Sequence, residues 1–157
     1  MYTLQAIQNI PASIEAVWNF FADPNKLHLI TPAYMKFRVI SNEKVDRIYK
    51  GQLIEYKIKP ILGIPLYWMT EITEVKDKTL FIDEQRKGPY KLWRHQHFFK
   101  EIPGGVEMTD LVEYSPPLLM LGKMANSFFL RKQLNGIFRF RYQKIEEIFG
   151  KFPVHRS

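Results

Sequence analysis

The chain of 157 residues contains no cysteine. That excludes a disulfide framework, thiolate zinc sites and a cysteine nucleophile. It also lacks a run of the roughly eighteen apolar residues that cross a bilayer. Its opening, Met1-Tyr2-Thr3-Leu4-Gln5, has no basic stretch followed by an apolar one, so a soluble, unexported, cytoplasmic protein is expected. Internal repeats and low-complexity segments are missing, as are a glycine-rich phosphate loop, a nucleophile elbow and a His-Glu-x-x-His helix. No motif calls for a cofactor.

Aromatic residues, by contrast, make up 15% of the chain and fall mostly in the strand-like stretches and the last helix, where such bulk suits a lined cavity as well as a packed core. The formal net charge is +7. Part of it gathers late, in Arg131, Lys132, Arg139, Arg141 and Lys144, which read as one solvated helix face partly offset by Glu146 and Glu147. No nucleic-acid motif accompanies this charge. If the basic residues have an anionic partner it is a membrane surface, beside which Leu118-Leu119-Met120-Leu121 would insert.

Residues 2–10 read as a strand ended by Pro11, after which Ser13 caps a helix to residue 23 with Ile14, Val17, Trp18 and Phe21 as its apolar stripe. A second short helix over 25–30 is closed by Thr31-Pro32, because the residue before proline avoids helical conformation. Strands are predicted over 36–41, 51–59, 66–75, 79–86, 90–101 and 106–115, with connections short enough to make neighbours antiparallel. From 118 to 149 a helical period appears in Leu121, Met124, Phe128, Leu134, Phe138, Ile145 and Phe149, with Gly150 as its stop and 151–157 as a loose tail. A sheet of about seven strands must bury one face, and the last helix is the element long enough to cover it. The resulting fold class is α+β: a curved antiparallel sheet around a long C-terminal helix, plugged by two short helices, in one domain over residues 1–150.

Period-two alternation assigns the faces. In the sixth predicted strand Trp93, His95, His97 and Phe99 share one side; Tyr90, Leu92, Arg94, Gln96 and Phe98 share the other. Strand 106–115 favours the first side as interior, since Val106, Met108, Asp110, Val112 and Tyr114 form an almost apolar row. By the same parity Ile54, Tyr56 and Ile58, then Trp68, Thr70 and Ile72, then Phe81, Asp83 and Gln85 point inward. His95, His97, Asp83, Gln85 and Asp110 thus become polar groups in an aromatic interior. They have three uses: an internal hydrogen-bonded cluster, an anchor for the polar end of a greasy ligand, or a histidine oriented by a carboxylate as general acid or base. Two histidines two apart on a strand, with Asp110, also allow a metal site in principle.

The string Ile10-Pro11-Ala12-Ser13-Ile14-Glu15-Ala16-Val17-Trp18-Asn19-Phe20-Phe21-Ala22-Asp23-Pro24 resembles the opening of bacterial START-like (SRPBCC) proteins, the superfamily of polyketide cyclases and lipid-transfer domains. Leu29-Ile30-Thr31-Pro32, Tyr67-Trp68-Met69-Thr70-Glu71-Ile72, the stretch from Gly88-Pro89-Tyr90 to His97, and Met108-Thr109-Asp110-Leu111-Val112-Glu113-Tyr114 are similar to one bacterial ligand-binding branch of it. The resemblance implies a helix-grip fold and binding of a hydrophobic small molecule or lipid, with catalysis in only some members and no metal. The expected ligand-binding set is Tyr56, Trp68, Thr70, Phe81, Gln85, Trp93, His95, His97, Met108, Asp110, Tyr114, Met124 and Phe128. The rival reading is a cyclase- or dehydratase-like enzyme using His95 or His97 with Asp110 or Asp83.

Overall fold

A computed structural model of the protein describes residues 1–41, 45–59, 63–116 and 125–153, with the side chains of 125–127 left aside. Strand β1 (Tyr2–Ile10) ends at Pro11 and leads into helix α1 (Ile14–Phe21), whose first turn is capped by Ser13 Oγ accepting from the Ala16 amide at 3.2 Å. The expected second helix is a 3-10 segment (Pro24–Ile30) started by Asp23, whose carboxylate accepts from the Asn25 amide at 2.9 Å. Thr31-Pro32 ends it, since the residue before proline avoids helical conformation, and Thr31 is extended. A further 3-10 turn, Ala33–Met35, stops at Lys36 in the left-handed region, so the strand expected over 36–41 shrinks to β2 (Arg38–Val39).

The chain then winds back as β3 (Leu53–Ile58), β4 (Leu66–Lys76), β5 (Leu80–Lys87), β6 (Leu92–Ile102) and β7 (Gly105–Ser115). All pair antiparallel in one seven-stranded sheet of order β1-β7-β6-β5-β4-β3-β2. α1 and the 3-10 segments therefore carry the chain from one edge of the sheet to the other. Register shifts at Met69/Thr70 and Ile72/Glu74 interrupt the β4–β5 ladder, the kind of irregularity that bends a sheet. At the β6–β7 turn, a Cβ on Gly105 would lie 2.0 Å from the Ile10 carbonyl oxygen, so β1 can approach there only because the side chain is absent.

Helix α2 (Ala125–Phe149) lies against β1 and the first 3-10 segment. Its inward face is Leu130, Leu134, Ile137, Phe138, Arg141 and Ile145, a helical spacing. Residues 118–124, where the sequence places the start of this helix, lie outside the described residues. The core is densest where α1 meets the sheet: Trp18 sets its ring edge against Phe81 and Phe99, with Ile10, Val17, Val106 and Met108 sealed around it. The basic residues divide. Arg131, Lys132 and Arg139 are exposed as expected, but Arg141 is 7% exposed and belongs to the interior.

Candidate functional site

Toward the other end of the sheet the interior is not filled. A cavity of about 200 Å³ lies between β3–β6, the first 3-10 segment and α2. It is smaller than the about 300 to 1,000 Å³ usual for drug-sized ligands. Its apolar wall includes Phe21, Leu27, Met35, Phe37, Ile54, Ile58, Trp68, Ile72, Trp93, Leu134, Ile137 and Phe138. One polar cluster in the wall gathers Thr70, Asp83, His95, His97 and Arg141, and Asp23, Lys26, Thr31 and Gln133 also line the cavity.

The polar group is built by strand register. Asp83 on β5 stands opposite His95 on β6, and His97 stands opposite Asp110 on β7. The bonds run both across and diagonally. His95 Nε2 lies 2.9 Å from Asp110 Oδ1, while His97 lies 2.9 Å from the same oxygen through Nδ1 and 2.9 Å from Asp83 Oδ2 through Nε2. Arg141 reaches down from α2 to Asp110 Oδ1 at 3.2 Å, and Thr70 Oγ1 donates to Asp83 Oδ1 at 3.3 Å. The two imidazoles sit 3.8 Å apart, Phe81 stacks on His97 at 4.0 Å, and the guanidinium lies over the rings of Phe21 and Phe138.

This geometry assigns protons. Both ring nitrogens of His97 face carboxylates, so it donates at both ends as an imidazolium. Burial opposes that charge, but hydrogen bonds to Asp110 and Asp83 prevail and raise its pKa above the ordinary value. Burial and the neighbouring charge of His97 lower the pKa of His95 despite Asp110. Neutral His95 then donates from Nε2 to Asp110 and keeps a lone pair on Nδ1. Burial pushes against ionisation of Asp110, yet Arg141 and the two histidines hold its carboxyl well below the usual range. Asp83 is also lowered, burial being outweighed by His97 and His95. Two carboxylates balance one imidazolium and one guanidinium.

Asp83, His95 and His97 bring one ligand atom each within 4.8 Å of one another, the donor set of a two-histidine, one-carboxylate metal site. It is not the His95, His97, Asp110 set that the sequence suggests, because Asp110 takes the far nitrogens of both rings. Of these three side chains, Asp83 and His97 are already joined by the His97 Nε2 proton at 2.9 Å, while His95 is bonded to Asp110 instead.

Of the expected binding set, Tyr56, Trp68, Thr70, Phe81, Trp93, His95 and His97 line the cavity, as does Asp83. Asp110 sits behind the histidines. Met108 packs into the sealed core, and Tyr114 stands behind Trp93 and stacks on Tyr2. Gln85 is also elsewhere: its amide nitrogen donates to the Tyr90 carbonyl at 2.6 Å and its oxygen accepts from the Tyr90 amide at 3.2 Å, clipping the β5–β6 connection. Phe128 is 73% exposed. It precedes Leu130 by two residues, about 200° around a helix, and so misses the inward face. Met124 lies outside the described residues.

Tyr90 and Arg141, which the sequence places on outward faces, belong to the wall. Tyr90 precedes β6, so strand alternation does not govern it, and it packs on Trp93 and Trp68. Arg141 stands three residues after Phe138 and four before Ile145, a position at which the apolar period demands an inward side chain. That mismatch was the available signal.

A curved antiparallel sheet closed over an interior cavity by a C-terminal helix defines the helix-grip class of hydrophobic ligand-binding folds. Residues 10–140 match the family model described as polyketide cyclase / dehydrase and lipid transport, and the chain belongs to that family. No curated protein matches it. Among solved structures it resembles protein Ms6760 from Mycobacterium smegmatis (19% identity, 93% of this chain and 89% of that one, TM-score 0.67). It also resembles CV1439 from Chromobacterium violaceum (10%, 97% and 100%, TM-score 0.74). A START superfamily protein from M. smegmatis is similar as well (11%, 94% and 99%, TM-score 0.63). At these identities the likeness is one of fold. Among the described residues no helix is long and apolar enough to cross a membrane.

Proposed function

We propose that this protein binds a hydrophobic small molecule or lipid moiety in the cavity between sheet and α2, with the ligand's polar end at His95 and Asp83. The observation that carries this reading is the contrast within one wall, an aromatic and aliphatic lining that converges on a single hydrogen-bonded polar cluster. Membership in a family that includes lipid transport supports it.

The geometry narrows any catalysis to one histidine, because His97 has both nitrogens committed to carboxylates and a general base needs a free one. A cyclase- or dehydratase-like reaction would fall to His95, the histidine with an uncommitted nitrogen. Mass spectrometry of small molecules released from the purified protein, repeated with His95→Gln, separates the two. A binder returns the same unmodified compound from both proteins. A cyclised or dehydrated product that disappears in the variant establishes the enzyme.

A second reading, docking on an anionic membrane, is favoured by Phe128 and Phe129, 73% and 51% exposed just ahead of Arg131 and Lys132. Sedimentation with anionic vesicles but not with neutral ones is its expected signature, and equal sedimentation with both removes it.

A further inference from the structure

The polar end of the cavity offers an acceptor without a matching donor. Asp110 Oδ1 receives three groups, from His95, His97 and Arg141, and is an acceptor only. The His95 nitrogen that faces it at 2.9 Å must therefore carry the hydrogen, which leaves Nδ1 as a lone pair. Asp83 Oδ2 lies 3.8 Å from that lone pair, beyond hydrogen-bonding distance and itself an acceptor. His95 and Asp83 both line the cavity. Asp83 Oδ1 already receives Thr70 Oγ1–H, and Oδ2 receives His97.

The charge count restricts the ligand further. Asp110 and Asp83 are matched by Arg141 and by the doubly bonded His97, and the other charged lining residues, Asp23 and Lys26, face each other at 4.0 Å, so a carboxylate or an ammonium brought to the histidines would be buried with no spare counter-charge to meet it. The unpartnered N–H groups of Arg141 Nε and Trp68 Nε1 do not change this, because both atoms are sealed from the cavity surface. Ethers, ketones and esters would set lone pair against lone pair at His95 Nδ1.

We infer that the cavity selects an uncharged apolar compound bearing one hydroxyl, an alcohol or a phenol, which donates to His95 Nδ1. The inference rests on the binding reading above and narrows it to a ligand class.

Four naphthalenes of nearly constant shape test it at neutral pH: naphthalene, 2-methoxynaphthalene, 2-naphthol and 2-naphthoate, with affinity read from tryptophan quenching. The expected order puts 2-naphthol at least about tenfold tighter than the first two, the effect of one good hydrogen bond, and 2-naphthoate weakest. In His95→Leu the naphthol advantage should vanish while naphthalene affinity holds. Should that variant fail to fold, nitrogen NMR of the wild-type imidazole gives the same answer, since Nδ1 of His95 should shift on adding 2-naphthol and stay put on adding naphthalene. Equal affinities for naphthol and its methyl ether, or tightest binding of naphthoate, overturn the hydroxyl inference and leave the binding reading intact. If none of the four binds, both fall.

Discussion

β6 and β7 present one continuous inner face whose two ends are used in opposite ways. At one end Phe99, Val106 and Met108 pack solidly under Trp18 of α1. At the other end Trp93, His95 and His97 of the same β6 face border open space. Ring content does not separate the two ends, since each carries bulky aromatics. What differs is the cover. α1 lies directly over the first end, while at the second it contributes only Phe20 and Phe21 of its last turn, and α2 and the 3-10 segments bridge the rest. Aromatic side chains therefore fill where a helix sits on the sheet and line where it spans a gap.

Truncating one ring at each end gives the widest expected contrast. Trp18 is 1% exposed, and Trp18→Ala should cost about 3 to 5 kcal/mol in urea unfolding, as for large core aromatics. Trp93 is half-buried and already faces a void, so Trp93→Ala should cost less than about 2 kcal/mol. Equal losses would erase the distinction between a filled and a lined end.

The polar cluster should be nearly as sensitive as the sealed core, for electrostatic rather than packing reasons. Asp110→Ala leaves Arg141 and His97 buried with an uncompensated positive charge, a loss of about 3 to 4 kcal/mol by the same unfolding measurement. Replacing Arg141 by Leu in the same chain should restore part of that stability, because the excess charge leaves with it. A double variant no better than the single one would show that the two residues do not act as a pair.

Titration should separate the two histidines. The folded pKa of His97 is raised above 6.5, so its contribution is present below that value and is lost as pH climbs through the raised pKa. His95 is lowered, so the folded state is penalised as pH drops below 6.5 and the unfolded chain takes up the proton first. Histidine-linked stability should therefore peak near pH 6.5, with a further acid loss below the ordinary 3.8 of Asp83 and Asp110. His97→Gln should flatten the alkaline limb and His95→Gln the acid one, as followed by melting temperature against pH. The smallest effects belong to the exposed α2 cations: Arg139→Gln and Lys132→Gln should stay within about 0.5 kcal/mol of the parent.

Most of this architecture was legible because it is periodic. Alternation along β7 places Val106, Met108, Asp110, Val112 and Tyr114 inward, and the structure buries all five. The same parity rightly brings Asp83 to the histidines. It does not bring Gln85 to the cavity, although Gln85 shares the regular Thr70–Ile72 register with Asp83, because the side chain is clipped to the Tyr90 backbone. Alternation also cannot distinguish filling from lining, since Met108 and Trp93 share a parity but lie under different covers. On α2 the apolar stripe rightly places Leu134, Phe138 and Ile145 inward but also includes Phe128, which faces outward, while charge alone places Arg141 in solvent. A charged residue at an inward helical position is visible in sequence, but its partner Asp110 is 31 residues away and on another element.

The chain has three tryptophans, one in the sealed end and two in the cavity wall. Their indole N–H signals thus report on both ends at once in a nitrogen–proton NMR titration with 2-naphthol. The account predicts saturable shifts at Trp68 and Trp93 with Trp18 unmoved. Shifts led by Trp18, or no saturable shift at Trp68 and Trp93, would contradict a ligand cavity between the sheet and α2.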